Sequence, residues 1–205
     1  MSNRTSILLL KGSTRQPVDA SLVEGVTLEE IRRTDALRTP FFRTAFADAL
    51  ATGVSTDALP EHAHWQWERK WRAALKSSQF LGVECEGAMQ ALMIVRTDKT
   101  CRLPDQFGLP LVYVDYLASA PWNLPELVPQ PRFRRGGLAL IAAALRLSEQ
   151  IGYNGRVGLH SLPQAEEFYR AKCGMADLGV DPFYEDLHYL KMTPAQSQAF
   201  LDRTK

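Results

Sequence analysis

Residues 132–149 read RFRRGGLALIAAALRLSE. Arg132, Arg134 and Arg135 crowd the first four positions, Gly136 and Gly137 follow, and 138–147 is an almost wholly apolar run. A helix that is hydrophobic all round is a buried helix. Arginine and glycine at the first turn of such a helix suit a phosphate: glycine lets the ligand approach backbone N–H groups, the unpaired amides and helix dipole favour an anion, and arginine adds charge-assisted hydrogen bonds. Without an anion the three cations would repel one another. No Gly-Lys-Ser/Thr follows, so this is not a Walker loop, and it is not a GxGxxG dinucleotide fingerprint.

The rest of the chain sets limits on that reading. Its 205 residues carry 24 Lys+Arg against 23 Asp+Glu, a formal charge of +1. This near-neutrality argues against a nucleic acid or an anionic membrane bound through bulk electrostatics, so an anionic ligand has to be held locally. With 45% hydrophobic and 23% charged residues the composition is that of an ordinary globular chain. The apolar run at 7–10 is too short for a secretory signal or a membrane span, and Cys85, Cys101 and Cys173 lack CxxC spacing. Together these features predict a cytoplasmic protein with no structural metal. His62 and His64, two residues apart, would face different sides of a helix.

Periodicity supplies the elements. An opening strand is expected around 21–27. A Thr27-x-x-Glu30 capping box then starts a helix that Pro40 interrupts, and a second helix with an aromatic face runs on to Gly53. A turn-rich 53–60 precedes a helix carrying Trp67, Trp71 and Leu75 on one face, which reads as aromatics packed on a sheet or, alternatively, as an aromatic-lined acceptor pocket. Runs 80–86 and 88–96 flank a hairpin turn at Glu86-Gly87. The strongest strand is 109–118, LPLVYVDYLA, followed by a stiff loop with Pro121, Pro125, Pro129 and Pro131. Asn154-Gly155 turns into a short strand ending in His160 and Ser161, a helix begins near Pro163, and 177–179 and 184–192 supply two closing strands.

In this arrangement the sequence resembles the GCN5-related N-acetyltransferase (GNAT) superfamily. The family's pyrophosphate motif, Arg/Gln-x-x-Gly-x-Gly/Ala, can be laid down as Arg132-Phe-Arg-Arg135-Gly-Gly137, with Arg135 in place of the first glycine, or as Arg134-Arg-Gly-Gly137-Leu-Ala139. Val114-Asp-Tyr-Leu-Ala-Ser-Ala-Pro121 is similar to the strand that precedes the motif in the family. Ala165-Glu-Glu-Phe-Tyr169, about thirty residues after the motif, is similar to its Ala-x-x-Leu-Tyr element. Leu162 stands where Asn is common, Met175 replaces Phe, and the spacing from Tyr169 to Gly174 is one residue longer than usual.

The resemblance implies an α/β (α+β) GNAT fold with a central mixed, mostly antiparallel, strongly twisted sheet flanked by helices. It also implies a single domain: about 20–78 forms the first strand and a helical acceptor-side elaboration, about 79–192 the hairpin, acetyl-CoA-binding core and closing strands, and 193–205 a C-terminal tail. Acetyl-CoA is then the acyl donor. Leu117 and Ala118 would face it through their backbone, and Arg132, Arg134, Arg135, Gly136, Gly137, Leu138 and Ala139 would hold its phosphates. Tyr169 is the implied general acid to the departing thiolate, since a phenol of pKa ~10 suits a thiolate of ~8–9.

His160, from its intrinsic pKa, and Asp115, a carboxylate on the face of Leu117 within an apolar strand, are the alternative bases. Phe41, Trp65, Trp67 and Trp122 are the aromatic residues available to an amine acceptor, either a small molecule or a protein amine. Neither acceptor-side region is strongly acidic, which disfavours polycationic acceptors. The expected function is acetyl transfer by direct attack in a ternary complex, without nucleic acid or membrane partners and compatible with a homodimer. The alternative is a GNAT-fold acyl-CoA-binding or regulatory module of little turnover.

Overall fold

In a computed structural model that describes residues 2–53 and 60–204, the apolar stretch after the arginines forms α3 (Gly136–Gln150). Its Leu140, Ile141, Ala144 and Leu145 are fully buried. Each large aliphatic chain removed from water in this way contributes about 1.5–3 kcal/mol. The sheet has nine strands in the order β6-β1-β2-β3-β4-β5-β7-β9-β8. These are β1 (Asn3–Lys11), β2 (Pro17–Glu24), β3 (Ser78–Cys85), β4 (Ala88–Thr100), β5 (Pro110–Ser119), β6 (Phe133–Arg134), β7 (Val157–Ser161), β8 (Ala176–Asp181) and β9 (Leu187–Met192). The β5–β7 pair is parallel, whereas β1–β2, β2–β3, β1–β6, β7–β9 and β8–β9 are antiparallel.

The chain divides into two compact units. One comprises Met1–Lys76, Phe80–Leu92 and Ala118–Gly137, and the other Ser77–Gln79, Met93–Leu117 and Leu138–Lys205. In the first, Leu9, Val23, Ile31, Trp67, Val83 and Ala91 are fully buried. In the second, Met93, Leu111, Leu159, Leu190 and Phe200 are.

Several elements depart from the periodicity. The strand expected around 21–27 lies at Pro17–Glu24 and is preceded by β1, which contains the apolar run 7–10. Pro40 does not end a helix: α1 runs unbroken over Leu28–Thr52. The proline removes one intrahelical hydrogen bond, and the helix continues through it with Phe42 buried beyond it. The predicted capping box is present, with the Glu30 N–H donating to Thr27 Oγ1 at 3.3 Å and the Thr27 N–H donating to Glu30 Oε2 at 2.8 Å. Of the turn-rich 53–60, residues 54–59 lie outside the described residues.

The tryptophan helix is shorter than its pattern. α2 spans Trp67–Ala73, His62 and His64 belong to a separate 3-10 turn, Glu61–His64, and Leu75 is exposed. Asp35 of α1 caps α2 from outside, accepting from the Trp67 N–H at 3.1 Å and the Glu68 N–H at 2.8 Å. The segment expected as a tail contains a capped helix, α4 (Pro194–Arg203), whose Phe200 is fully buried. The β3–β4 turn is the expected one: Glu86 and Gly87 have φ of 52° and 77°, as a two-residue hairpin turn requires.

The proline-rich loop after β5 is held by one buried side chain. Gln90 of β4 donates through Nε2 to the carbonyls of Cys85 (2.9 Å) and Ala88 (3.0 Å). Its Oε1 accepts from Trp122 Nε1 (2.8 Å) and Asn123 Nδ2 (2.9 Å). Asn123 Oδ1 in turn accepts the Phe133 N–H at 2.9 Å. Gln90→Leu breaks all four of these bonds and leaves the buried Trp122 indole N–H without its acceptor, so we expect a loss of about 2–4 kcal/mol in urea unfolding. A variant as stable as the wild type would refute the role given to this amide.

Candidate active site

The 132–137 loop follows from those anchors. β6 pairs with β1 through Leu10↔Arg134 and Lys11↔Phe133, and the Gly12 N–H donates to the Arg132 carbonyl at 2.8 Å. A Cβ on Gly12 would lie 1.5 Å from the Pro131 carbonyl oxygen, so only glycine allows the β1–β2 turn this close to the loop. Arg132 is exposed, with its guanidinium 5.7 Å from the Trp122 ring centroid. Arg134 is half-buried, and its Nε is shielded from solvent without a hydrogen-bond partner. None of the three arginines forms an ion pair among the described residues.

Arg135 is in the left-handed region, φ 76°, where a side chain costs energy and glycine does not. Gly136 opens α3 against Ala91, whose Cβ would be 3.2 Å from a Cβ added there. The first turn, Gly136, Gly137, Leu138 and Ala139, is half-buried, unlike the closed helix that follows.

In the second unit, β5 and β7 pair only through Val112↔Val157, Tyr113↔Gly158 and Val114↔Leu159. β5 continues to Ser119 and β7 to Ser161, so Leu117 lies past the last β5–β7 pair and His160 just past it on the other strand. Ala118 is buried and Leu117 half-buried. Asp115 is half-buried, and its charge adds to the hydrogen-bonded Asp98, 2.6 Å from Arg96, in holding that guanidinium protonated. The half-buried Asp115 therefore has a cationic neighbour.

His160 sits in a network that the sequence did not disclose. Its Nε2 is 2.9 Å from Asp181 Oδ2 and its Nδ1 2.7 Å from the Tyr113 hydroxyl. Tyr184 stacks on the ring at 4.1 Å with an interplanar angle of 1°, and Lys99 donates to the Tyr184 hydroxyl at 3.1 Å. Asp181 also pairs with Arg102 and accepts the Phe183 N–H at 3.0 Å.

Burial raises the Asp181 carboxyl, but the bonds from His160, the Phe183 amide and Arg102 prevail and hold it below the usual carboxylate range. Burial likewise moves His160 down, against the pull of Asp181. A neutral ring donates from Nε2 to Asp181 and accepts the Tyr113 phenol proton at Nδ1. Burial and the nearby Asp115 charge push the Tyr113 phenol well up. The sequence singled out His160 but missed Tyr113 and Asp181: Tyr113 reads as an ordinary strand aromatic, and Asp181 lies 21 residues away at the end of a strand.

Tyr169 is 6% exposed, and burial keeps its phenol protonated far above neutrality. It lies in a π-helical turn, Phe168–Cys173, closed by Gly174 at φ 76°. The Met175 N–H reaches back to the Tyr169 carbonyl at 3.1 Å and the Gly174 N–H to the Arg170 carbonyl at 3.1 Å. A π turn is what one inserted residue produces in a helix, so it absorbs the extra residue between Tyr169 and Gly174. Of the expected acceptor-side aromatics, Trp67 (0% exposed) and Trp122 (7%) are core residues, whereas Phe41 and Trp65 are half-buried. Their indoles supply packing rather than open surface. Among the described residues no group of three His, Cys, Asp or Glu side chains is arranged to hold a metal ion. No helix among them is long and apolar enough to cross a membrane.

No family model matches the sequence, and no curated protein does. Solved structures do. The PaiA N-acetyltransferase from Thermoplasma acidophilum, in complex with coenzyme A, aligns over 84% of this chain and 98% of its own, with a TM-score of 0.51 and 11% identity. A bacterial toxin aligns over 71% and 82%, with a TM-score of 0.51 and 13% identity. An uncharacterized protein from Bacillus halodurans aligns over 98% of both chains, with a TM-score of 0.50 and 10% identity. The fold is therefore that of the GCN5-related N-acetyltransferases, with the mixed, mostly antiparallel sheet that the sequence implied.

The histidine network yields a pH dependence. The folded-state pKa of His160 lies below its unfolded value near 6.5, so its contribution to stability is present above about pH 6.5 and is lost as the pH falls. His62, which burial and the Arg38 charge bring to about 4, contributes in the same window. The lowered carboxylates, including Asp181, act at lower pH. Unfolding free energies should therefore fall between pH 6.5 and 5, with a smaller slope in His160→Gln. An unchanged slope would remove His160 from this account.

Proposed function

We propose that the protein is an acyl-CoA-dependent N-acyltransferase that moves an acetyl group from acetyl-CoA to an amine by direct attack. The observation that carries this reading is the arginine–glycine opening of α3: three arginines without carboxylate partners among the described residues, beside a half-buried first helical turn, on a GNAT fold. The coenzyme A in the PaiA structure supports the same ligand. Arg132, Arg134 and Arg135, with the amides of Gly136, Gly137, Leu138 and Ala139, bind the pyrophosphate. The left-handed Arg135 favours the register Arg132-x-x-Arg135-x-Gly137, because Arg135 then takes the conformation that glycine takes freely. Its side chain is exposed and does not block the backbone.

Leu117 and Ala118 present backbone groups beyond the last β5–β7 pair to the acyl and pantetheine arm. Tyr169, kept protonated by burial, donates to the departing thiolate. For the amine proton, the hydrogen-bond chain favours His160 over Asp115. Tyr113 accepts the proton while passing its own to His160 Nδ1, and Asp181 stabilises the resulting imidazolium. The Asp115 charge instead acts on Arg96 and on the Tyr113 phenol.

Acetyl-CoA at 100 times its Kd should stabilise the protein by ~2.7 kcal/mol in a thermal-shift experiment. The absence of any shift would overturn the reading. Replacing Arg132 and Arg134 by alanine should abolish the shift, while Tyr169→Phe should keep it. In a thiol-release assay over an amine panel, Tyr169→Phe and Tyr113→Phe should each lose about 10²-fold in kcat. Combining Tyr113→Phe with His160→Gln should cost little more than either alone, because the two form one relay. Full activity in Tyr113→Phe would break that relay.

A further inference from the structure

Three polar groups that the proposed reaction does not use lie in the helical segment of the first unit, joined by ring and cation contacts and without hydrogen-bond partners among the described residues. Arg38 of α1 is 3% exposed, and neither of its terminal nitrogens has a hydrogen-bond partner. Trp67, 0% exposed, has its indole Nε1 equally unpartnered, and so is Nε2 of His62. The Arg38 guanidinium lies 5.7 Å from the Phe42 ring centroid and 5.7 Å from that of Trp67. His62 meets Phe42 edge-on at 6.2 Å, Trp65 stands 5.7 Å from His62, and Trp67 6.1 Å from Trp65.

Asp35 is the nearby carboxylate, and both its oxygens are committed to the amides that open α2. It offers Arg38 charge but no hydrogen bond. A buried guanidinium without hydrogen-bond acceptors is costly: Asp35 gives it charge and the rings give it π faces, but among the described residues none gives its terminal nitrogens a lone pair.

The chemistry of the missing acceptor is narrow. Arg38 and Trp67 can only donate, and a neutral His62 donates from Nε2 in one tautomer. Burial and the Arg38 charge lower the pKa of His62 to about 4, so the ring is neutral and the cluster carries a single positive charge. A planar monoanion with two oxygens fits the guanidinium fork, and the indole and imidazole N–H groups take its remaining lone pairs. Phosphate would bring nearly two negative charges to one cation. The aromatic walls suit an apolar substituent on the ligand.

Helix α1 also reaches the phosphate loop within this unit. Phe41, next to Phe42, packs edge-on against Trp122 at 6.1 Å, and Trp122 carries Arg132 on its face. His62 is carried by the Glu61–His64 turn. That turn has no side-chain cap and is closed by two backbone bonds, Ala63 N–H to Pro60 and Trp65 N–H to His62.

We propose that Arg38, His62 and Trp67 form a carboxylate-binding site, and that the acceptor is an amine carrying a free carboxylate, of the amino-acid class. The acceptor assignment rests on the acyltransferase reading, whereas the carboxylate site does not. The first test is therefore calorimetric, on the full chain without acetyl-CoA, with phenylacetate and its neutral isostere phenylacetamide as probes. Phenylacetate should bind at least tenfold more tightly than the amide, and Arg38→Gln should remove that preference.

If Arg38→Gln fails to fold, Trp67→Phe keeps the ring, removes one donor, and should weaken phenylacetate several-fold. Equal affinity for the two probes, absence of binding, or full affinity in Trp67→Phe would overturn the site. The second test is thiol release from acetyl-CoA with L-phenylalanine or L-phenylalaninamide as acceptor. A preference for the free carboxylate, lost in Trp67→Phe, supports the acceptor class, and a preference for the amide overturns it. Phenylacetate binding with no turnover of any amine would overturn acyl transfer and leave the site standing.

Discussion

The Gln90 side chain is the constraint on which the first unit depends. A primary amide has two donor hydrogens and an oxygen able to accept two bonds, and here all four capacities are used below 3.1 Å in a side chain that is 3% exposed. One end of the amide fixes the β3–β4 turn and the other fixes Trp122 and Asn123, so the hairpin and the proline-rich loop take one relative position. Asn123 passes that position to Phe133, β6 extends it to β1, and Gly12 closes the far side on Arg132. Proline stiffness alone would leave the loop extended without saying where it ends. The hydrogen bonds of one amide determine where Arg132, Arg134 and Arg135 stand.

The helical segment follows a different logic. An α-helix of 25 residues with a proline near its middle is not sustained by propensity, and α2, at seven residues, is too short to be stable alone. Each completes the other. Asp35 of α1 supplies the cap that Gln66 does not provide for α2, and Trp67 of α2 covers Arg38 of α1. The surface pair of Arg32 with Glu68 adds little, because exposed ion pairs are worth at most about 1 kcal/mol. Burying Arg38 is a cost inside an otherwise favourable packing. The proposed carboxylate ligand would offset that cost.

Much of the architecture was legible because it rests on local physics. The all-apolar helix after the arginines, the Glu86-Gly87 hairpin, the VYV strand, the Thr27 capping box and the Asn154-Gly155 turn are each specified by a few neighbouring residues, and each is present. The failures are tertiary. Pro40 reads as a break because local rules see the lost hydrogen bond and not the burial of Phe42 beyond it. Trp67 reads first as a packing residue, as it is, and also as acceptor surface, and Trp122 only as the latter, because nothing nearby announces that Arg38 and Gln90 lie against them. α4 was missed although Thr193 and Gln196 form a capping box as regular as that of Thr27.

The same division runs through the candidate site. The phosphate loop was readable because its chemistry is contiguous: cations, glycines and a helix start within a few residues. The His160 network was not, because its members come from β5, β7 and the end of β8, and only the fold brings them together. Gly158 is what permits it. A Cβ there would lie 2.9 Å from the Tyr189 hydroxyl, so a larger residue would displace the ring that closes the network beside His160 at 4.9 Å. A glycine inside a strand weakens the strand, and here its function is to leave room for an aromatic wall around an imidazole. The one-residue excess after Tyr169 belongs with it: the sequence registers it as a spacing error, whereas the π turn absorbs it and still ends on a left-handed glycine. Departures from local regularity thus cluster around the groups to which chemistry is assigned, as expected where geometry is specified beyond what folding alone requires.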